Sequence, residues 1–284
     1  MPELPLMGLV SNARTVRLFL FLAVFVLMAI WEQKSSRRKE KIPLVLRWPN
    51  NLGLGFLNHL LVRPLLPGTV LAVANLALQK GFGLFQWVEV PPTFSIVMTL
   101  LVLDWVNYYQ HRAFHAISLL WKVHRTHHTD LEVDVTTGTR FHTLEMGVSL
   151  IVKSATILLL GAPLAGVLLF ELILNAMTLF NHSNIRIPAF LEKSLRLVWV
   201  TPDMHRIHHS AIPAETNSNF GFIFSFWDRL FRTYRPQPQE GQEKMKLGLE
   251  FLRDSKYLAL WELFKIPFLD DKGRFSWINL TKQK

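Results

Sequence analysis

The sequence predicts an all-α integral membrane protein that gathers histidines beside the bilayer to hold two metal ions. Three observations carry this expectation. Half of the 284 residues are hydrophobic and the mean hydropathy is +0.23, high for a soluble chain of this length. The apolar residues fall into long stretches separated by basic or Gly/Pro-rich connections, the pattern of repeated membrane crossing. Eight of the eleven histidines lie in three short runs: His111 and His115; His124, His127 and His128; His205, His208 and His209.

In chain order, Leu18 to Trp31 is continuously apolar, with Arg14 and Arg17 before it and Glu32 after it. It is short for a span, but Arg17 can snorkel, and the absence of a small-residue cleavage site favours an uncleaved anchor over a signal peptide. Lys34, Arg37, Arg38, Lys39, Lys41 and Arg47 then mark the cytoplasmic side. Residues 1–48 are thus expected to form an anchor and a basic loop. Leu52 to Leu78, interrupted by Arg63, Pro64, Pro67 and Gly68, is a broken span or a re-entrant segment plus a span, and with its connection fills 49–93. Phe94 to Trp105 returns to the cytoplasm and runs into the first histidine pair. Met146 to Leu160 and Pro163 to Phe180 form an apolar hairpin around Gly161-Ala162-Pro163. A hairpin that enters and comes back leaves all three runs on one side, and the catalytic region is placed at 94–236. The tail, 237–284, mixes Phe251, Trp261, Phe264 and Phe268 with Lys and Arg, and reads as an interfacial amphipathic element.

Within each run the three- and four-residue spacings put imidazoles on one helix face. Imidazole suits iron, zinc, copper and nickel, and eight of them exceed what one ion uses. The chain has no cysteine, which excludes disulfides, thiolate zinc sites and iron–sulfur clusters. The formal charge of +10 flanks apolar stretches instead of forming an aromatic-laced stripe, so no nucleic-acid partner is expected. Trp121 to His128 reads as a helix lying at the membrane surface. Thr201 and Pro202 suit the N-cap and first position of a helix carrying the third run. His182 emerges from the hairpin at ligand depth. His142 is open between ligand and supporting residue. Asp104, two turns below His111, could accept the second N–H of a ligand imidazole. His59, far from the runs, is structural.

The order H-x3-H, H-x2-H-H, an isolated Asn181-His182, then H-x2-H-H resembles the fatty acid hydroxylase/sterol desaturase superfamily of integral membrane di-iron enzymes. Thr201-Pro202, Asn219-Phe220-Gly221 and Trp227 to Tyr234 add to the resemblance, which covers Phe94 to Pro236. It implies about four transmembrane helices beneath a cytosolic helical cap, and two iron ions, ferrous when reduced, with O2 as co-substrate. It makes His111, His115, His124, His127, His128, His182, His205, His208 and His209 the ligands. Some members carry a further histidine where this chain has Thr178, so water, Asn181 or His142 would complete one metal.

The function expected is O2-dependent hydroxylation of a lipid C–H bond in a fatty acyl, sterol or ether-lipid chain. Desaturation by the same site is the alternative, and a non-catalytic metal-binding or transport protein is the rival of another class. Zinc is excluded for such chemistry because it has no redox states. Phe141, Phe180, Phe220 and Phe222 are candidate substrate walls. No nucleotide fingerprint is present, so electrons come from a partner: a cytochrome, a ferredoxin or a reduced pterin.

Overall fold

The computed structural model describes residues 12–62 and 70–270. Helix α1 (Ala13–Lys34) extends the first apolar stretch at both ends to 22 residues, long enough to cross a bilayer. Leu18, Phe19, Leu22, Val26 and Leu27 stay exposed on it, whereas Met28 and Ala29 pack with Leu179 and Ile185. Near its C-terminal end the buried Glu32 accepts hydrogen bonds from the backbone N–H groups of Val135 and Asn184.

Helix α2 (Leu44–Val62) starts inside the stretch expected to be a basic loop. Arg47 accounts for the difference. Its guanidinium is fully buried, donating to Asp130 at 2.9 and 3.0 Å and to Asp134 at 2.6 Å. A cation with two buried carboxylate partners is part of the core, so Arg47 is no marker of membrane side. The break expected at Arg63, Pro64, Pro67 and Gly68 lies outside the described residues.

Helix α3 (Val70–Gln79) and a turn at Leu84–Trp87 lead into α4 (Pro92–Ala116), which leaves at 92° to the preceding segment. Helix α5 (Ser118–His128) follows, then a 3-10 turn at Val135–Thr139, α6 (Thr143–Leu160) and α7 (Leu164–His182). Gly161 caps α6 in the left-handed conformation, φ 60°, and a Cβ there would lie 2.8 Å from the carbonyl oxygen of Phe82. Only glycine meets both demands. By length and apolarity α1, α6 and α7 are candidate spans, and the bent α3–α4 pair supplies a fourth. Among the described residues no strand forms, only isolated bridges such as Ser36–Ile185 and Trp199–Phe224. The fold is all-helical.

The apolar core joins these helices: Val70, Ala74, Leu103, Ile157, Val167 and Phe170 are buried together with Ile223 from the later chain. Helix α5 is not a surface helix. Trp121 and Val123 to His128 are buried, because α4, α6 and the segment Ile266–Phe268 close around it. Helix α8 (Pro202–His208) carries the third run; the Thr201 hydroxyl accepts from the Met204 N–H, and Pro202 takes the first position. The tail lays Leu263 and Ile266 onto Leu54, and the Arg125 guanidinium donates to the carbonyls of Ile266 and Leu269. The expected interfacial element beyond Asp270 lies outside the described residues.

Candidate dimetal centre

Nine histidines from four places in the chain converge. His111, His115, His124, His128 and His208 form one group, and His127, His182, His205 and His209 a second; within each, one nitrogen per ring lies within 4.8 Å of all the others. All nine are buried. Helix geometry explains the sorting. On α5 the four-residue pair His124 and His128 faces the first group, and His127, about 100° off, faces the second. The third run reverses this: His205 and His209 pair in the second group and His208 crosses to the first. Each H-x2-H-H run therefore serves both groups.

The hydrogen bonds decide which ring nitrogen is free. A carbonyl only accepts, so Nδ1 must carry the hydrogen in His111 (to Phe220, 2.8 Å), His182 (to Thr178, 2.7 Å) and His208 (to Ser218, 2.8 Å). His124 Nδ1 donates to Glu145 at 2.7 Å. The first three of these rings present a bare lone pair at Nε2. Yet the Nε2 atoms of His111 and His124 face each other at 3.1 Å, and His182 Nε2 lies 3.1 Å from His127 Nε2 and 3.0 Å from His205 Nε2. A bare lone pair turned on a neighbouring ring nitrogen at such a distance calls for a proton or a cation between the two. Two nitrogens bound at right angles to one ion, each ~2.1 Å from it, lie ~3.0 Å apart. The arrangement fits a cation in each group.

Burial, reinforced by neighbouring imidazoles, pushes His127, His128, His205, His208 and His209 well below the ordinary histidine range. Neutral rings are the form that ligates.

Other expected residues fall elsewhere. His142 is in neither group: its Nδ1 accepts from the Leu144 N–H, capping α6, and its Nε2 donates to the Phe264 carbonyl at 3.4 Å. With both nitrogens committed, it is not placed as a ligand. Asp104 touches no imidazole. Its carboxylate accepts from the Phe224 N–H and from the Trp227 indole at 2.9 Å, fixing the chain after the third run instead. Asn181 donates to the Phe222 carbonyl, and its Oδ1 is buried without a hydrogen-bond partner beside His182. Phe141 stacks on His127 at 4.3 Å, Phe222 lies against His111 and His205, and Phe220 meets His111, His115 and His208 edge-on. Phe180 packs instead in the cluster of Met28 and Leu179, because its side of α7 faces α1. His59 is exposed on α2, in neither group.

Residues missed in the sequence surround the cage. Glu145 holds His124, and a lone acid at the head of an apolar helix was its signal. Asp130 and Asp134 bind Arg47, and Arg140 donates to the Thr126 carbonyl and the Thr129 hydroxyl on either side of His127 and His128. Burial alone would raise the Asp130 carboxyl, but Arg47 and Arg140 outweigh it and hold it well below the usual range.

The fatty acid hydroxylase family model matches residues 96–233. The chain is 31% identical over 175 residues to the ornithine lipid hydroxylase OlsE of Rhizobium tropici, covering 61% of this chain and 51% of that protein. It is 26% identical over 191 residues to the alkylglycerol monooxygenase of Danio rerio, covering 65% and 39%, and 25% identical over 154 residues to the human enzyme of that name, covering 52% and 32%. The chain spans about half or less of the length of these relatives. No solved structure matches it. The matched region is the one in which the histidines close on themselves, and over it, just under half of its length, the chain is similar to the fatty acid hydroxylase family.

Proposed function

We propose that the protein is a membrane di-iron oxygenase that hydroxylates a C–H bond of a lipid with O2 and electrons from an external donor. One observation carries the reading: nine buried imidazoles in two groups, with Nε2 atoms facing one another at 3.0–3.2 Å. Ferrous ions would supply redox chemistry that zinc lacks and that attack on an unactivated C–H bond requires. One oxygen atom enters the C–H bond and the other leaves as water, with two electrons and two protons taken up.

The ligands proposed are His111, His115, His124, His128 and His208 for one ion, and His127, His182, His205 and His209 for the other. The second set has one member fewer. The buried, unpartnered Oδ1 of Asn181 supports that side chain, or a water it holds, in the remaining position. Phe141, stacked on His127, and Phe222, tilted against His111, are the proposed walls for the lipid chain. The region 94–236 would hold the whole cage. Both named relatives add oxygen to a lipid, which favours hydroxylation over desaturation and a substrate of the ornithine-lipid or alkylglycerol kind. The groups sit where α4 and α7 end, beyond the apolar segments, unlike a transporter's mid-span site. The helices cross the membrane several times with the cage on the cytoplasmic side, where a cytochrome, ferredoxin or reduced pterin has access.

Purified protein loaded with ferrous iron and given a reductant, isotopically labelled O2 and membrane lipid should place label in a lipid hydroxyl, with about two irons per chain. Label-free lipid, or a single zinc and no iron, would sink the proposal. The sidedness is testable because the native chain has no cysteine. On intact cells an impermeant maleimide should label Lys80→Cys and spare Lys244→Cys; the reverse pattern inverts the topology.

A further inference from the structure

We propose that Asp228 is a positioning residue for the five-imidazole site, acting through the loop from Ser218 to Gly221; this rests on the dimetal reading above. The loop sends two carbonyls to that site. Ser218 accepts from His208 Nδ1 and Phe220 accepts from His111 Nδ1, both at 2.8 Å. The two rings come from different helices, α8 and α4, so this loop alone sets the tautomer and tilt of two ligands at once.

The loop is held in an unusual shape. Asn219, between the two carbonyls, is left-handed at φ 54°, a conformation asparagine tolerates better than most residues. Its carboxamide donates to the carbonyls of Met204 and Arg235 and accepts from the Arg235 N–H. Asp228 clamps the far side. Its Oδ1 accepts from the Phe220 N–H at 2.8 Å and the Thr233 hydroxyl at 2.6 Å, and its Oδ2 accepts from the Gly221 N–H at 2.9 Å. A Cβ at position 221 would sit 2.9 Å from that Oδ2, so the approach requires glycine. With its hydrogen given to Asp228, the Thr233 oxygen accepts from the Tyr108 hydroxyl at 2.7 Å. Tyr108 lies one turn before His111 on α4, and the clamp thus returns to the helix whose ligand it orients. Asp228 itself is fully buried. Asp104, holding Trp227 and the Phe224 N–H, steadies the same segment from the other side.

These contacts give a purpose to Asn219-Phe220-Gly221 and to Trp227 through Thr233, which the proposed chemistry leaves unused. The four-imidazole group receives no carbonyl from Ser218 or Phe220. A clamp on this loop therefore acts on one ion only, whereas a part that merely holds the fold would affect both ions and the apo protein alike.

The test is titration of the full chain in detergent with ferrous iron alone, following stoichiometry and affinity, beside thermal melting of the apo protein. Asp228→Asn keeps the shape but turns an amide donor toward a backbone N–H. It should weaken one of two binding steps by about 10- to 100-fold and leave the other unchanged. Thr233→Val should do the same more mildly, and Thr233→Ser should restore the step. Added to His115→Ala, which damages the five-imidazole site directly, Asp228→Asn should cause little further loss. Two unchanged binding steps, or equal weakening of both with a lowered apo melting temperature, overturns the proposal. Should Asp228→Asn fail to fold, Thr233→Val and Thr233→Ser carry the same comparison. If the unmutated chain binds no ferrous ion, the dimetal reading itself fails.

Discussion

The five-imidazole group is steadied by single acceptors on its outer nitrogens: Glu145 on His124, and the Ser218 and Phe220 carbonyls on His208 and His111. The four-imidazole group has one such acceptor, the Thr178 carbonyl on His182, while the Nδ1 atoms of His127, His205 and His209 are buried without one. Beneath His127 lies a bed of charge instead, in which Arg140 grips Thr126 and Thr129, and Arg47 grips Asp130 and Asp134. Three rings of one group are aimed by acceptors of their own, although His115 has none. The other is held through its backbone, and the two should fail differently when disturbed.

The largest effect is expected from the ligands. His208→Ala should cost the ion of the five-imidazole group and His205→Ala that of the other, each lowering iron from two to about one per chain. Activity should fall by more than the 10- to 100-fold typical of outer-shell losses, because a ligand itself is gone. Loss of both ions from either variant, by elemental analysis, would erase the distinction between the groups.

Next comes Arg47→Met. It strands Asp130 and Asp134 in the core and should destabilise the protein by about 3–5 kcal/mol, as removal of one partner of a buried ion pair does. The sign of its pH dependence follows from Asp130, whose folded pKa is depressed. That carboxylate's stabilising contribution is present above its unfolded value of about 3.9 and is lost as pH falls through the folded value. The variant's deficit should thus be largest near neutral pH and shrink toward pH 4, where the stranded Asp130 carboxyl takes up a proton. Chemical denaturation across that range checks it, and a deficit independent of pH would remove the charge bed from the account.

Glu145→Gln should act least. The amide still accepts from His124 through its oxygen but carries no charge, so affinity should drop by about 10- to 100-fold for one ion and stay level for the other. Equal loss at both would mean that Glu145 does not belong to the five-imidazole group alone.

The long apolar helices and the nine convergent histidines were legible because both signals are local: apolar run length, and three- and four-residue spacing on one face. The supports were not legible. Asp228 reaches Phe220 and Gly221 over a short stretch, but only a left-handed Asn219 makes that approach possible, and composition carries no trace of it. Arg47 looked like every other cation in a basic stretch until the fold brought Asp130 to it from 83 residues away. Asp104 and His142 sat at the right spacings to serve the metals and were drawn to nearer partners, Trp227 and the Leu144 N–H.

The crossing of the histidine runs between the two groups bears on how the protein comes into being. His124 and His127 stand on one helix yet belong to different groups, and each group also needs rings from the third run, which the ribosome makes only after the apolar hairpin. Neither group is complete on a partly made chain. On the dimetal reading, full loading of both sites would wait for the end of synthesis, since a chain stopped before residue 205 lacks one ring of the first group and two of the second.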